Sequence, residues 1–428
     1  MKRQKNIGKD MINIKLIKDI LDEEIEFLSN VENASYIIEN RSEFWDSYTL
    51  SHGYPGVILF LDSYQKSMKT NLSPLIHQYV SKLGDYLEQG IEGYSLFSGL
   101  TGVAFSIDLA SNNNQNYQKI LKTLDAIIID KVNQFFIKSS IEANPSNFDV
   151  IQGLTGVGRY LLNRVNTNPE VNFTLKSILS YITDIHYSKK GWIISNKNQF
   201  LDIDKKRFPS GNINLGLAHG ILGPFSLMAL CKIHNFEIDN HKTILEDFSK
   251  YILNDSFQNK NEWLDRYDIE ERYYPNYTVR NGWCYGETGL MNTLLLLGIS
   301  LNDDNLIQKS KDILIKISKS DNTDLISPTF CHGLSSHLTI LNEANKTLCA
   351  PQVEKYIEKV KHKIIEFYSI HHEFMFQDIE IEKNQKVYLN KVGILEGRLG
   401  VLLALMDYTF TKKNLDPLKD WKNIFLIN

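Results

Sequence analysis

A short pattern occurs seven times along the chain: an apolar residue, a variable residue, a polar residue and glycine. Two further residues follow, then usually a second glycine and an apolar run. The copies read LSHGYPGV from Leu50, LFSGLTGV from Leu96, VIQGLTGV from Val150, LAHGILGP from Leu217, WCYGETGL from Trp283, FCHGLSSH from Phe330 and ILEGRLGV from Ile394. Units repeated at this spacing indicate a stacked or closed architecture. The first glycines (Gly53, Gly99, Gly153, Gly220, Gly286, Gly333 and Gly397) lie 46 to 67 residues apart. Each interval holds two helices of ordinary length and their connections.

The segments that follow the glycines, such as FSIDLA, GRYLLNRV and MNTLLLLG, are apolar on much of their circumference, as buried helices are. Segments between motifs, such as 75–90 and 305–319, are amphipathic at helical spacing. The economical arrangement is an all-α toroid. Seven inner helices are wrapped by seven outer ones, with each glycine motif as the turn into an inner helix. Three intervals carry a surplus poor in helical period, at 182–211, 253–280 and 366–392; the last alternates like a β-hairpin. These are expected as small strand-containing insertions in one domain spanning 1–428.

Composition narrows the function. Lys and Arg total 47 against 51 Asp and Glu, a net charge of −4, which argues against a dedicated nucleic-acid binder. With 11% aromatic residues the chain can bury a large core. The longest apolar stretch, Leu290–Leu301, is too short to span a bilayer, and no signal-like apolar core follows the basic N-terminus. The expectation is a cytoplasmic protein. Four cysteines are too few for a disulfide framework at this size, so special ones are metal ligands or nucleophiles.

Aligned on the first glycine, the preceding residue is always polar: His52, Ser98, Gln152, His219, Tyr285, His332 and Glu396. In a closed ring these positions converge on one face. Capping of helix N-termini is the simple reading, favoured for Ser98, Gln152 and Glu396. It does not account for the position two before the glycine, which becomes Cys284 and Cys331 in neighbouring repeats, the latter followed by His332. Two thiols and an imidazole form a candidate Cys₂His zinc set with an open fourth position, the alternative being structural cysteines and a capping histidine. Such a thiolate-rich centre suits activation of a substrate thiol rather than of water. His219 lies on the same face. Asp149 is the only acidic residue four positions before a first glycine, and the two suit proton transfer. Cys231 and Cys349 fall outside the motifs and are assigned to packing.

LAHG, WCYG and CHG, in this order within a sevenfold GxxG repeat, resemble the lanthionine synthetase C-like (LanC) cyclases across essentially the whole chain. The resemblance implies an α/α toroid holding one Zn²⁺ per chain through Cys284, Cys331 and His332. His219 and Asp149 are implied as the acid/base pair, with Arg280 and Tyr285 near the substrate. The implied reaction is Michael-type addition of peptide cysteine thiols to dehydroalanine or dehydrobutyrine, giving thioether rings in a lanthipeptide precursor with a leader segment. A separate dehydratase and a membrane exporter are the implied partners. Ser336 departs from the pattern, standing where the second glycine belongs. The alternatives are a non-cyclising zinc-containing relative that binds peptide or glutathione, and a toroidal glycoside hydrolase or prenyltransferase.

Overall fold

Each of the seven glycine motifs opens a helix. The computed structural model describes residues 2–88, 90–91, 93–112, 115–259, 262–270, 281–320, 325–410 and 420–427. The inner helices are Tyr54–Met68, Leu100–Ala110, Leu154–Asn163, Leu222–Ile233, Glu287–Leu301, Leu334–Leu348 and Arg398–Phe410. Each packs on the next and the seventh on the first, so the ring closes. Neighbours press on them from both sides, which is why Leu100–Ala110 and Leu154–Asn163 are buried along their whole length. Each leucine so enclosed contributes roughly 1.5–3 kcal/mol.

The outer ring is amphipathic. Its helices are Ser73–Glu88, Gln118–Lys138, Pro169–Tyr187, His241–Ile252, Asp304–Lys319 and Pro351–Glu366. The seventh place is taken by Lys2–Ser29, which packs on the seventh inner helix from the other end of the chain. Buried Glu24 and Arg398 pair across that seam at 2.9 Å. Side-chain caps start several outer helices: Asn168 accepts from the Glu170 N–H, and Asp303 from those of Asn305 and Leu306.

Inside the helices the turns form a second closed circle. The carbonyls of Phe97, Ile151, Ala218, Cys284, Cys331, Leu395 and Ser51 each accept one or two backbone N–H groups from the preceding repeat, at 2.7–3.4 Å. All seven occupy the position two before a first glycine. The second glycines let this circle close tightly. A Cβ on Gly102 would stand 2.7 Å from Leu50 Cβ, and one on Gly156 the same distance from Leu96 Cβ. In the sixth repeat buried Ser336 fills this place, its hydroxyl donating to the Gly333 carbonyl.

The hub is filled by Asp420–Ile427, a segment that lies outside the repeat. Phe425 stacks on Phe330 at 3.8 Å and meets Trp283 edge-on at 5.0 Å, while the Trp283 indole N–H donates to the Phe425 carbonyl. Lys422 is neutralised there by Asp407 and Asp420, each at 3.0 Å.

Of the three expected insertions, 182–211 begins as the end of the outer helix Pro169–Tyr187 and continues through a 3-10 turn, Asn196–Asn198, and a short α-helix, Asp202–Arg207. Asn212–Asn214, just beyond it, pairs antiparallel with Arg266–Asp268 of the second insertion. Residues 271–280 of that insertion lie outside the described residues. The third contains the expected hairpin, Asp378–Glu382 against Gln385–Leu389. Its two turn residues, Lys383 and Asn384, both have positive φ, as a two-residue type I′ turn requires.

Candidate active site

The circle of backbone bonds places the fifth and sixth repeats side by side at the sulfur-bearing position, the Cys284 N–H donating to the Cys331 carbonyl at 3.2 Å. The thiols meet as a result. Cys331 S–H donates to the Cys284 sulfur, which draws the Cys284 thiol below its ordinary range against the effect of burial. The imidazoles of His332 and His219 lower it further. Cys331 is correspondingly raised.

His332 enters from the other side. Its Nε2 is buried and has no aligned hydrogen-bond partner, although Glu380 Oε1 lies at 2.9 Å in ion-pair range. Burial opposes its imidazolium, but Glu380, Cys284 and Asp378 outweigh that and lift the pKa to about 9. Cys331, His332 and Glu396 offer donor atoms within 4.8 Å of one another, as do His332, Asp378 and Glu380. Cys284 belongs to neither group, because the His332 ring leans toward the hairpin carboxylates. Two adjoining thiols, one displaced below its usual range, and an imidazole beside them are a donor set that fits a soft divalent metal.

Glu396 is not the helix cap that its position suggests. The N-caps of the first three inner helices are the glycines themselves, without side-chain cap bonds. Glu396 instead meets buried Lys391 at 2.8 Å, and Lys391 also holds Asp378 at 2.8 Å. Burial would raise the Glu396 pKa, but His52 and Lys391 bring it down to about 2. Cys349, expected in the core, is exposed at the left-handed C-cap of the sixth inner helix. Cys231 is buried, and burial pushes its thiol up to about 12.

His219 and Asp149 are brought together across two repeats. Asp149 is fully buried, and its Oδ2 lies 2.6 Å from His219 Nδ1. Its Oδ1 accepts the backbone N–H groups of Gln152 and Gly153 at 2.7 and 2.8 Å. One carboxylate therefore ties the turn and orients the imidazole. With Nδ1 held by a carboxylate, Nε2 is the nitrogen left for chemistry. The exposed Phe200 ring meets His219 edge-on at 5.4 Å.

Tyr285 packs its ring over Gly216, where a Cβ would stand 2.5 Å from Cε1. Its hydroxyl accepts from Asn214 Nδ2 and Arg266 Nη2, both at 3.2 Å. Arg280 lies outside the described residues. Sequence reasoning missed Arg266, Asn214, Asp378, Glu380 and Lys391, all within or beside insertions that carry no repeat. Asp378 and Glu380 shared a signal, one face of an alternating strand.

A family model for lanthionine synthetase C-like proteins matches residues 44–426. The chain belongs to the lanthionine synthetase C-like family. It is 26% identical over 396 residues to the nisin biosynthesis protein NisC of Lactococcus lactis subsp. lactis, covering 87% of this chain and 88% of that protein. The solved structure of nisin cyclase superposes with a TM-score of 0.76 at 21% identity, over 96% of this chain and 97% of that one. Membership of the lanthionine synthetase C-like family sets aside the glycoside hydrolase and prenyltransferase alternatives. Among the described residues, no helix is long and apolar enough to cross a membrane.

Proposed function

We propose that the 1–428 chain is one unit, a zinc-dependent cytoplasmic cyclase. It adds peptide cysteine thiols to dehydroalanine or dehydrobutyrine in a lanthipeptide precursor. The observation that carries this reading is that backbone bonds set the His219, Cys284 and Cys331 turns side by side, the Leu217 N–H on the Cys284 carbonyl at 3.0 Å and the Cys284 N–H on that of Cys331 at 3.2 Å, while His219 is held by Asp149. A thiol-activating centre and a proton-transfer pair thus share one face. The family's name and the nisin relatives support the same chemistry.

Cys284, Cys331 and His332 would hold one Zn²⁺ per chain, which when bound supplies a Lewis acid that makes a thiol nucleophilic near neutral pH. Glu380 and Asp378 both face the His332 Nε2, at 2.9 and 3.8 Å, and a metal bound through that nitrogen would displace them from it. His219 presents Nε2 to the substrate, where it can take the thiol proton or protonate the α-carbon after attack on the β-carbon. Asp149 fixes the ring and stabilises its cationic form. Tyr285, and Arg280 by motif, contact the substrate near the developing enolate. The partners on this reading are a leader-bearing dehydrated precursor, a separate dehydratase and a membrane exporter.

The test mixes the protein, zinc and dehydrated precursor at mildly acidic pH, where spontaneous addition is slow. Ring closure leaves mass unchanged, so alkylatable thiols and ring stereochemistry are read by mass spectrometry and chiral analysis. Rapid loss of thiols with a single stereochemistry is expected. Thiols lost no faster than without protein, as the same stereochemical mixture, would favour a non-cyclising peptide- or glutathione-binding protein.

A further inference from the structure

A phenol oxygen can accept two hydrogen bonds and donate one. At Tyr285 both acceptor positions are taken, by Asn214 Nδ2 and Arg266 Nη2 at 3.2 Å each. The Asn214 amide can be oriented from its other bond. Its Oδ1 accepts the Gly216 N–H at 3.0 Å, so reversing the amide would set two donors against each other. Arg266 has no acceptor atom under any conditions. Neither neighbour can take the Tyr285 proton.

Arg266 is itself fixed. Nη1 donates to Asp265 Oδ2 at 2.9 Å and Nη2 to the phenol, while Asp204 Oδ2 lies 3.0 Å from Nη2 in ion-pair range. The guanidinium carbon lies 5.1 Å from the Tyr285 ring centroid, which adds cation–π attraction. Arg266 and Asn214 sit on paired strands, Asn214 opposite Arg266, so one backbone ladder sets both donors.

The geometry points to Arg266 and Asn214 as positioning residues that saturate the Tyr285 oxygen and so commit its O–H to donating outward, to the carbonyl oxygen of the dehydrated residue being attacked. The inference rests on the cyclase reading. As the thiolate adds to the β-carbon, electron density moves onto that oxygen, and the Tyr285 hydrogen bond strengthens with it. Tyr285 then contributes more to the transition state than to substrate binding.

The informative variant is Asn214→Asp, which keeps the shape and the acceptor for Gly216 N–H but offers the phenol a carboxylate. The Tyr285 hydrogen should turn inward. Tyr285→Phe and Asn214→Asp should each lower kcat by about 10- to 100-fold with KM within about twofold. The double variant should lose no more than Tyr285→Phe alone, since the two changes remove the same hydrogen bond. Arg266→Met should lower kcat and Arg266→Lys should restore part of it. The C–O stretch of an isotopically labelled tyrosine at position 285, read by difference infrared spectroscopy in substrate-free protein, should shift from an acceptor to a donor signature in Asn214→Asp. An unmoved stretch, or additive losses in the double variant, overturns the assignment. Should Asn214→Asp not fold, equal losses in Arg266→Lys and Arg266→Met overturn it instead. If the wild-type protein closes no ring, the cyclase reading fails, while the infrared comparison still decides whether the phenol is held as a donor.

Discussion

Replacing Asp149 by asparagine isolates proton transfer from metal binding. The native carboxylate accepts on both oxygens, from Gln152 and Gly153 on Oδ1 and from His219 on Oδ2 at 2.6 Å. An amide cannot do both. The rotamer that keeps its oxygen on the two backbone N–H groups turns its NH₂ toward His219 Nδ1. The imidazole must then accept at Nδ1 and carry its hydrogen on Nε2, inverting what it offers the substrate. A lost hydrogen bond to a charged group is worth about 1.5–3 kcal/mol. Placed on the barrier, that is about 10- to 150-fold in rate. Asp149→Asn should therefore retain stoichiometric zinc by elemental analysis and its turn bonds by thermal melting, yet close rings at least about tenfold more slowly in the thiol-alkylation assay. Cyclisation within about twofold of wild type would remove the Asp149–His219 pair from the mechanism.

Cys284→Ala and Cys331→Ala should each release most of the zinc while leaving the helical circular-dichroism signal intact, and stoichiometric zinc in the double variant would refute the ligand assignment. Gly156→Ala should destabilise by about 1–3 kcal/mol or more in urea unfolding, because its Cβ would lie 2.2 Å from the Val150 carbonyl oxygen; an unchanged midpoint would contradict the close packing of repeats. Burial holds His337 neutral and brings its pKa down to about 4 from 6.5. With the folded value below the unfolded one, this contribution to stability is fully present above about pH 6.5 and is lost as the pH falls to about 4, by about 3 kcal/mol. His337→Gln should flatten that part of the pH–stability curve, and an unchanged slope would refute the linkage.

The ring was legible because its determinants are local. A glycine turn followed by an apolar run shows what the next ten residues do, and seven copies show that such units pack on each other. The same equivalence located Cys284 beside Cys331 across 46 intervening residues. Glu396 was misread because motif position alone suggests a cap, whereas its partner Lys391 follows from the hairpin's docking. Asn214 and Arg266 are 52 residues apart in segments without a period, so only strand pairing unites them. Residues 420–427 carry no copy of the repeat, and their burial against Trp283 and Phe330 depends on a hub that exists once the ring has closed.

That closed circle of backbone bonds behaves like an indexing dial, with one stop to each repeat. Side chains alone distinguish one stop from another. Going round, the chemistry falls on consecutive stops: Asp149 at the approach to the third, His219 at the fourth, Cys284 at the fifth, Cys331 and His332 at the sixth. A closed circle of L-residues can be read in only one rotational sense. His219 and the two sulfurs therefore follow each other in one sense only, clockwise or anticlockwise. Insertions lengthen the rim without altering that order. On the proposed cyclase reading, the order of the stops fixes which face of a bound alkene meets the sulfur site and which meets the proton donor.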